Sequence, residues 1–86
     1  MNNLAVRLAD AGRRAEGLTA AQEAVTLYRE LAALNRDAYL PDLATSVNNL
    51  AIRLADAGRR AEALTTAQEA LDLYWELAAI NRDAWA

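Results

Sequence analysis

The side chains of this 86-residue chain with the most chemical potential are its carboxylates, asparagines and tryptophans. Glu69, Asp72 and Glu76 recur at three- and four-residue spacing, which places them on one face of a helix. Such a row could hold a hard cation or supply an acid/base pair. Nearby arginines make a solvated, ion-paired face the simpler reading, with roughly tenths of a kcal/mol per pair. Arg36-Asp37 and Arg82-Asp83 likewise read as surface charge. The pairs Asn2-Asn3 and Asn48-Asn49 could hydrogen-bond a bound peptide backbone, or could simply satisfy helix ends and face solvent. Trp75 and Trp85 could anchor a partner, since tryptophan dominates interface energies, or could cover the end of a stack.

What is missing narrows the chemistry further. Histidine, cysteine and lysine are absent, and all nine basic residues are arginine. There is no imidazole base, no thiolate and no amine for a Schiff base or a phosphate loop. Zinc and other soft-ligand sites lose their usual ligands. Gly12, Gly17 and Gly58 are scattered and form no phosphate cradle. No catalytic residue, cofactor or metal is therefore expected, and the chain reads as a non-enzyme. The net charge of −3 leaves no basic stripe for nucleic acid. No apolar run spans a bilayer and no leader opens the chain, so no membrane partner and a cytoplasmic location are expected.

The elements that must position these residues are written twice. Residues 3–18 and 49–64 share the pattern Asn-Leu-Ala-x-Arg-Leu-Ala-Asp-Ala-Gly-Arg-Arg-Ala-Glu-x-Leu. The offset is 46 throughout: Asn49 follows Asn3, and Gly58 follows Gly12, by that number. Aligning residues 1–40 with 47–86 leaves ten mismatches in 40 positions, hence 30 identities. A stretch repeated at fixed spacing indicates a fold built by stacking one unit. The whole chain, 1–86, is read as one domain: repeat one over 1–40 and repeat two over 41–86.

Apolar periodicity predicts helices over about 2–11, 14–38, 42–57 and 60–85. Gly12 and Gly58 supply the left-handed residue that closes a helix. Pro41 is expected to stop the second helix and, with Asp42, to open the third. Leu18, Ala21, Val25, Tyr28 and Ala32 form one stripe of the second helix, and Leu64, Ala67, Leu71, Tyr74 and Ala78 its copy on the fourth. Tyr28 and Tyr74 are expected in the core. Arg13-Arg14 and Arg59-Arg60 open helices where the dipole disfavours cations, which Glu16 and Glu62 partly offset.

The combined pattern resembles a tetratricopeptide repeat. Leu50, Ala51 and Leu54 match that family's first-helix positions, Gly58 its turn glycine, and Ala63, Ala67 and Ala70 its close-approach positions in the second helix. The period departs from the usual 34, resembling the long-helix variants of kinesin light chains and bacterial sensor proteins. Val47 stands at the family's first-helix Trp position and Ala67 at its large aromatic. The resemblance implies an all-α fold of two antiparallel helix hairpins, stacked as a short solenoid, with a concave face that holds peptides or proteins. Positions matching that face are Asn2, Asn3, Val6, Asp10, Thr45, Asn48, Asn49, Ile52 and Asp56. The lysines of a carboxylate clamp are absent, so none is expected.

Two functions follow as expectations. One is a protein-interaction scaffold, a piece of a longer array. The other is an engineered or excised structural repeat whose main partner is itself. Uncapped ends favour self-association, since arrays need polar caps to stay soluble. Leu73, Trp75, Leu77, Ile80 and Trp85 on the last helix are the residues expected to mediate it.

Overall fold

The computed structural model describes the backbone of residues 3–85 and the side chains of residues 12–82. Three helices follow one another: α1 (Asn3–Leu34), α2 (Arg36–Asp56) and α3 (Arg60–Trp85). They run up, down and up, with α2 packed between its neighbours. At about 1.5 Å per residue the 32 residues of α1 reach ~48 Å. The principal-axis extents of 59 × 22 × 22 Å accordingly describe a rod.

The core lies along α2, which buries Leu40, Leu43, Ala44, Ser46, Val47, Ala51 and Leu54. These positions recur every three or four residues, so two adjoining stripes face two neighbours. α1 contributes Val25 and Ala32, and α3 contributes Ala70 and Leu73, with Tyr28, Tyr39, Leu50 and Leu77 packed around them. The buried Ser46 hydroxyl donates to the Leu43 carbonyl at 2.9 Å. Among the described residues no buried side-chain nitrogen or oxygen lacks a partner.

Three helices replace the four expected, and the two differences arise at Gly12 and at Pro41. At Gly58 the turn forms as predicted. Its φ is +79°, the Gly58 amide donates to Ala55 (3.0 Å) and the Arg59 amide donates to Leu54 (2.9 Å). This is the Schellman closure, in which a left-handed glycine lets two amides reach back to the last carbonyls. At Gly12 the helix runs straight on, and the expected break between 11 and 14 does not occur. Turning frees the backbone groups of two helix ends, which only burial of an apolar face can offset. The helix ahead of Gly58 has 21 residues and seven buried side chains, whereas the segment 3–11 ahead of Gly12 provides nine residues. Keeping a glycine inside a helix costs only about 1 kcal/mol, so the straight form wins.

The second difference lies at Pro41, which is the sixth residue of α2 and not its opening. α1 ends at Leu34 instead of near residue 38, and Asn35 takes over as the cap. The Asn35 side chain accepts from the Ala38 amide at 3.2 Å, satisfying one of the orphan donors of the new helix. Proline forfeits one helical hydrogen bond, and its neighbour Leu40 is biased toward extended backbone. Leu40 is nonetheless 0% exposed, and its burial holds the segment helical against that local preference. At the start of α3, Arg59 grips Glu62 with two hydrogen bonds, at 3.0 and 2.5 Å.

Candidate interaction surfaces

The antiparallel pairing of α1 and α2 leaves a groove of about 530 Å³ along one side. Its α1 wall is made of small residues, Gly17, Ala20, Ala21 and Ala24, ending at Tyr28. Its α2 wall carries Asp42, Thr45, Asn49 and Arg53, which helical spacing aligns on one flank. The Arg53 guanidinium lies over Gly17, where an added Cβ would stand 3.7 Å away, at ordinary van der Waals distance. The result is a shallow trough with an apolar floor and a row of donors and acceptors along one edge. Such a trough suits a chain segment that offers small apolar contacts and a few polar groups.

A second groove, of about 400 Å³, opens between α2 and α3. Asn48, Ala51, Ile52 and Ala55 form one side, and Ala63, Leu64 and Ala67 the other. It continues onto an apolar flank of α3 where Leu64 (63% exposed), Leu71 (55%), Tyr74 and Trp75 (63%) face solvent. Contiguous apolar surface of this kind marks an interaction site more often than an isolated exposed leucine does.

The residues expected on one concave face are therefore divided between two grooves. Thr45 and Asn49 line the first; Asn48 and Ile52 line the second; Asp56 is exposed at the end of α2. The side chains of Asn2, Asn3, Val6 and Asp10 lie outside the described residues. The set expected to mediate self-association also divides. Leu73 is drawn into the core, 7% exposed, and Leu77 packs beside it. The reason is that the face of α3 that meets α2 passes through Ala63, Ala70 and Leu73. Trp75 and Ile80 stay exposed, and the Trp85 side chain lies outside the described residues. Tyr74 is exposed instead of buried, whereas Tyr28 packs against the core as expected. The exposed flank thus consists of Leu64, Leu71 and Tyr74, residues that helical periodicity alone assigns to an interior.

The carboxylate row resolves into ion pairs. The Arg29 Nη2 donates to both Glu69 oxygens at 2.7 and 2.6 Å, joining α1 to α3 across the edge of α2. Arg36 forks onto Glu76 through Nε at 2.6 Å and Nη2 at 2.7 Å. The hydrogen bonds from Arg36 hold the Glu76 carboxyl below the usual glutamate range, and the same bonds raise Arg36 further above its ordinary value. With Glu69 and Glu76 so engaged, the row is an electrostatic seam and not an acid/base pair. Among the described residues no group of three carboxylates, histidines or cysteines could hold a metal ion. No helix among them is long and apolar enough to cross a membrane. Neither pair was singled out from the sequence. The available signal was the matched spacing, seven residues from Arg29 to Arg36 and seven from Glu69 to Glu76.

Comparison with known families gives a match to the family described as Tetratricopeptide repeat, over residues 1–35 and 43–82. Comparison with curated proteins and with solved structures returns no match. The matched segments take in the turn at Gly58, the small-residue wall of α1 and α2 from residue 43 onward: the chain belongs to the tetratricopeptide repeat family.

Proposed function

We propose that the chain is a non-enzymatic protein-interaction scaffold that holds a segment of a partner protein in the groove between α1 and α2. The observation that carries this reading is the groove itself, whose small-residue floor faces Thr45, Asn49 and Arg53. Exposed backbone of a bound segment would find donors and acceptors on α2, and its small side chains would settle over Ala20, Ala21 and Ala24. Selection from a displayed library of random 16-residue peptides tests it. Enriched peptides should lose binding to Ala24→Trp, which fills the floor, while circular dichroism stays unchanged. Failure to enrich any peptide, or binding indifferent to Ala24→Trp, would overturn the reading.

A second reading is a structural repeat module, excised or designed, whose main partner is another copy. The exposed apolar flank of α3 and the 30 identities in 40 aligned positions support it, because binding faces usually diverge between repeats. Sedimentation velocity separates the two: a monomer at high micromolar concentration would exclude the second and leave the first untouched.

A further inference from the structure

We infer, building on the groove reading above, that the partner segment docks as an amphipathic helix antiparallel to α1. An arginine near its N-terminal end pairs with Glu30, and its leucine or valine side chains cover Ala24 and Leu27.

The same wall is occupied once inside the chain. α3 receives α2 on Ala63, Ala70 and Leu73, which are 8%, 2% and 7% exposed. From the turn at Gly58 the two helices run antiparallel as far as the bridge between Arg36 and Glu76. Along that length Leu40, Leu43 and Val47 of α2 join one cluster with Ala70 and Leu73. Forty-six positions earlier the wall reads Gly17, Ala24 and Leu27, with Glu30 in the place of Glu76. Here it is open: Gly17 and Ala24 line the groove, and Leu27 is 52% exposed. Among the described residues Glu30 has no ion-pair partner. α2 leaves this wall free because it meets α1 on Val25 and Ala32, roughly a quarter-turn further round the helix.

Charge fixes the direction of the docked helix at both ends. Glu30, with Glu23 and Leu27, lines a hollow of about 320 Å³, which takes an arginine as Glu76 takes Arg36. At the other end Ala63 stands beside Ala51 and Ala55, near the end of α2. Its counterpart Gly17 therefore receives the C-terminal turn of the docked helix. The Arg53 guanidinium already lies over Gly17. The last four carbonyls of a helix lack internal partners and its C-terminus favours a cation, so Arg53 is placed to donate to them. Between its ends a helix satisfies its own amides, which suits the apolar floor. The α2 of a second copy is enclosed between its own α1 and α3, so the occupant is a helix of another protein with the same chemistry.

A synthetic peptide of residues 35–57, the sequence of α2, is the probe, because it carries Arg36, Leu40, Leu43 and Val47 at the required spacing. Titrating the full chain into fluorescein-labelled peptide should raise the anisotropy to saturation. Leu27→Asp should weaken binding at least about tenfold, by removing buried apolar contact. Glu30→Arg should weaken it about threefold, within the range of exposed pairs turned repulsive. Circular dichroism should not change, since both side chains are exposed. Peptide carrying Arg36→Glu should bind the Glu30→Arg chain within about threefold of the original pair, which a merely destabilised fold would not do. Absence of saturable binding, or binding indifferent to Leu27→Asp and Glu30→Arg, would overturn the inference. So would a loss confined to Glu76→Arg, the signature of peptide displacing the chain's own α2. Library-selected peptides that still depend on Ala24 would, beside any of these results, keep the groove reading and sink only the docked helix.

Discussion

Residues 3–18 and 49–64 differ at two positions, yet the first runs as uninterrupted helix and the second turns through Gly58. The reverse holds at the other junction. Asn35 ends one helix and caps the next, while its counterpart Asn81 lies inside α3. Each signal is used where a following helix can lie back on its predecessor and ignored where none does. A turn residue in this chain is a permission, and the burial that follows decides whether it is taken. The same contrast appears in packing: Leu73 is buried against α2, and its counterpart Leu27 is half exposed.

The comparison can be broken by making the same substitution in both copies. The largest expected effect is at the leucine pair. Leu73→Ala should cost about 3 kcal/mol in urea unfolding, and Leu27→Ala less than about 1 kcal/mol, because only the first leaves a cavity. Equal losses would mean that both copies are packed alike. Next come the glycines. Gly58→Ala should destabilise by about 1–2 kcal/mol through its positive φ, while Gly12→Ala should stabilise by about 0.5–1 kcal/mol as a helix-interior glycine replaced. A loss at Gly12 in dilute solution would show that it, too, turns.

Smaller again is the asparagine pair. Asn35→Ala removes a cap and should cost about 1 kcal/mol, whereas Asn81→Ala should be neutral or gain roughly a few tenths of a kcal/mol. The melting temperature, followed by circular dichroism, reads the sign of each. The smallest effect concerns pH. A carboxyl whose folded pKa is depressed stabilises the fold above its unfolded value and loses that contribution as pH falls through the folded one. Glu76 therefore adds a small stability at neutral pH that fades below the ordinary glutamate range. Glu76→Gln should remove that part of the acid dependence. An acid profile unchanged by Glu76→Gln would discount the seam.

The parts of this fold that were legible in the sequence are those where local signals and burial agree. The turn at Gly58, the start of α3 and the stripe Val25–Tyr28–Ala32 were all readable from spacing. Gly12 was not, because the residues around it are those around Gly58 and the difference lies in what packs on them. Pro41 outweighed Asn35 as a local signal, yet burial of Leu40 placed the boundary at the asparagine. Among the candidate binding residues, which the sequence places on one face, Thr45 and Asn49 line one groove and Asn48 and Ile52 another. Periodicity identifies the apolar faces of a helix wide enough for two neighbours, but not which neighbour is present, and so Leu73 and Leu71 exchange roles.

The straightness of α1 through Gly12 is the claim on which the rest depends, and a distance measures it. The chain has no cysteine, so spin labels can be placed uniquely by substituting Leu4 and Glu30 with cysteine. In dilute solution an unbroken helix separates the two backbones by about 39 Å, and pulsed electron resonance should find a single distribution near that value. A distribution centred at about 20 Å or less, the separation of a hairpin closed at Gly12, would contradict the account.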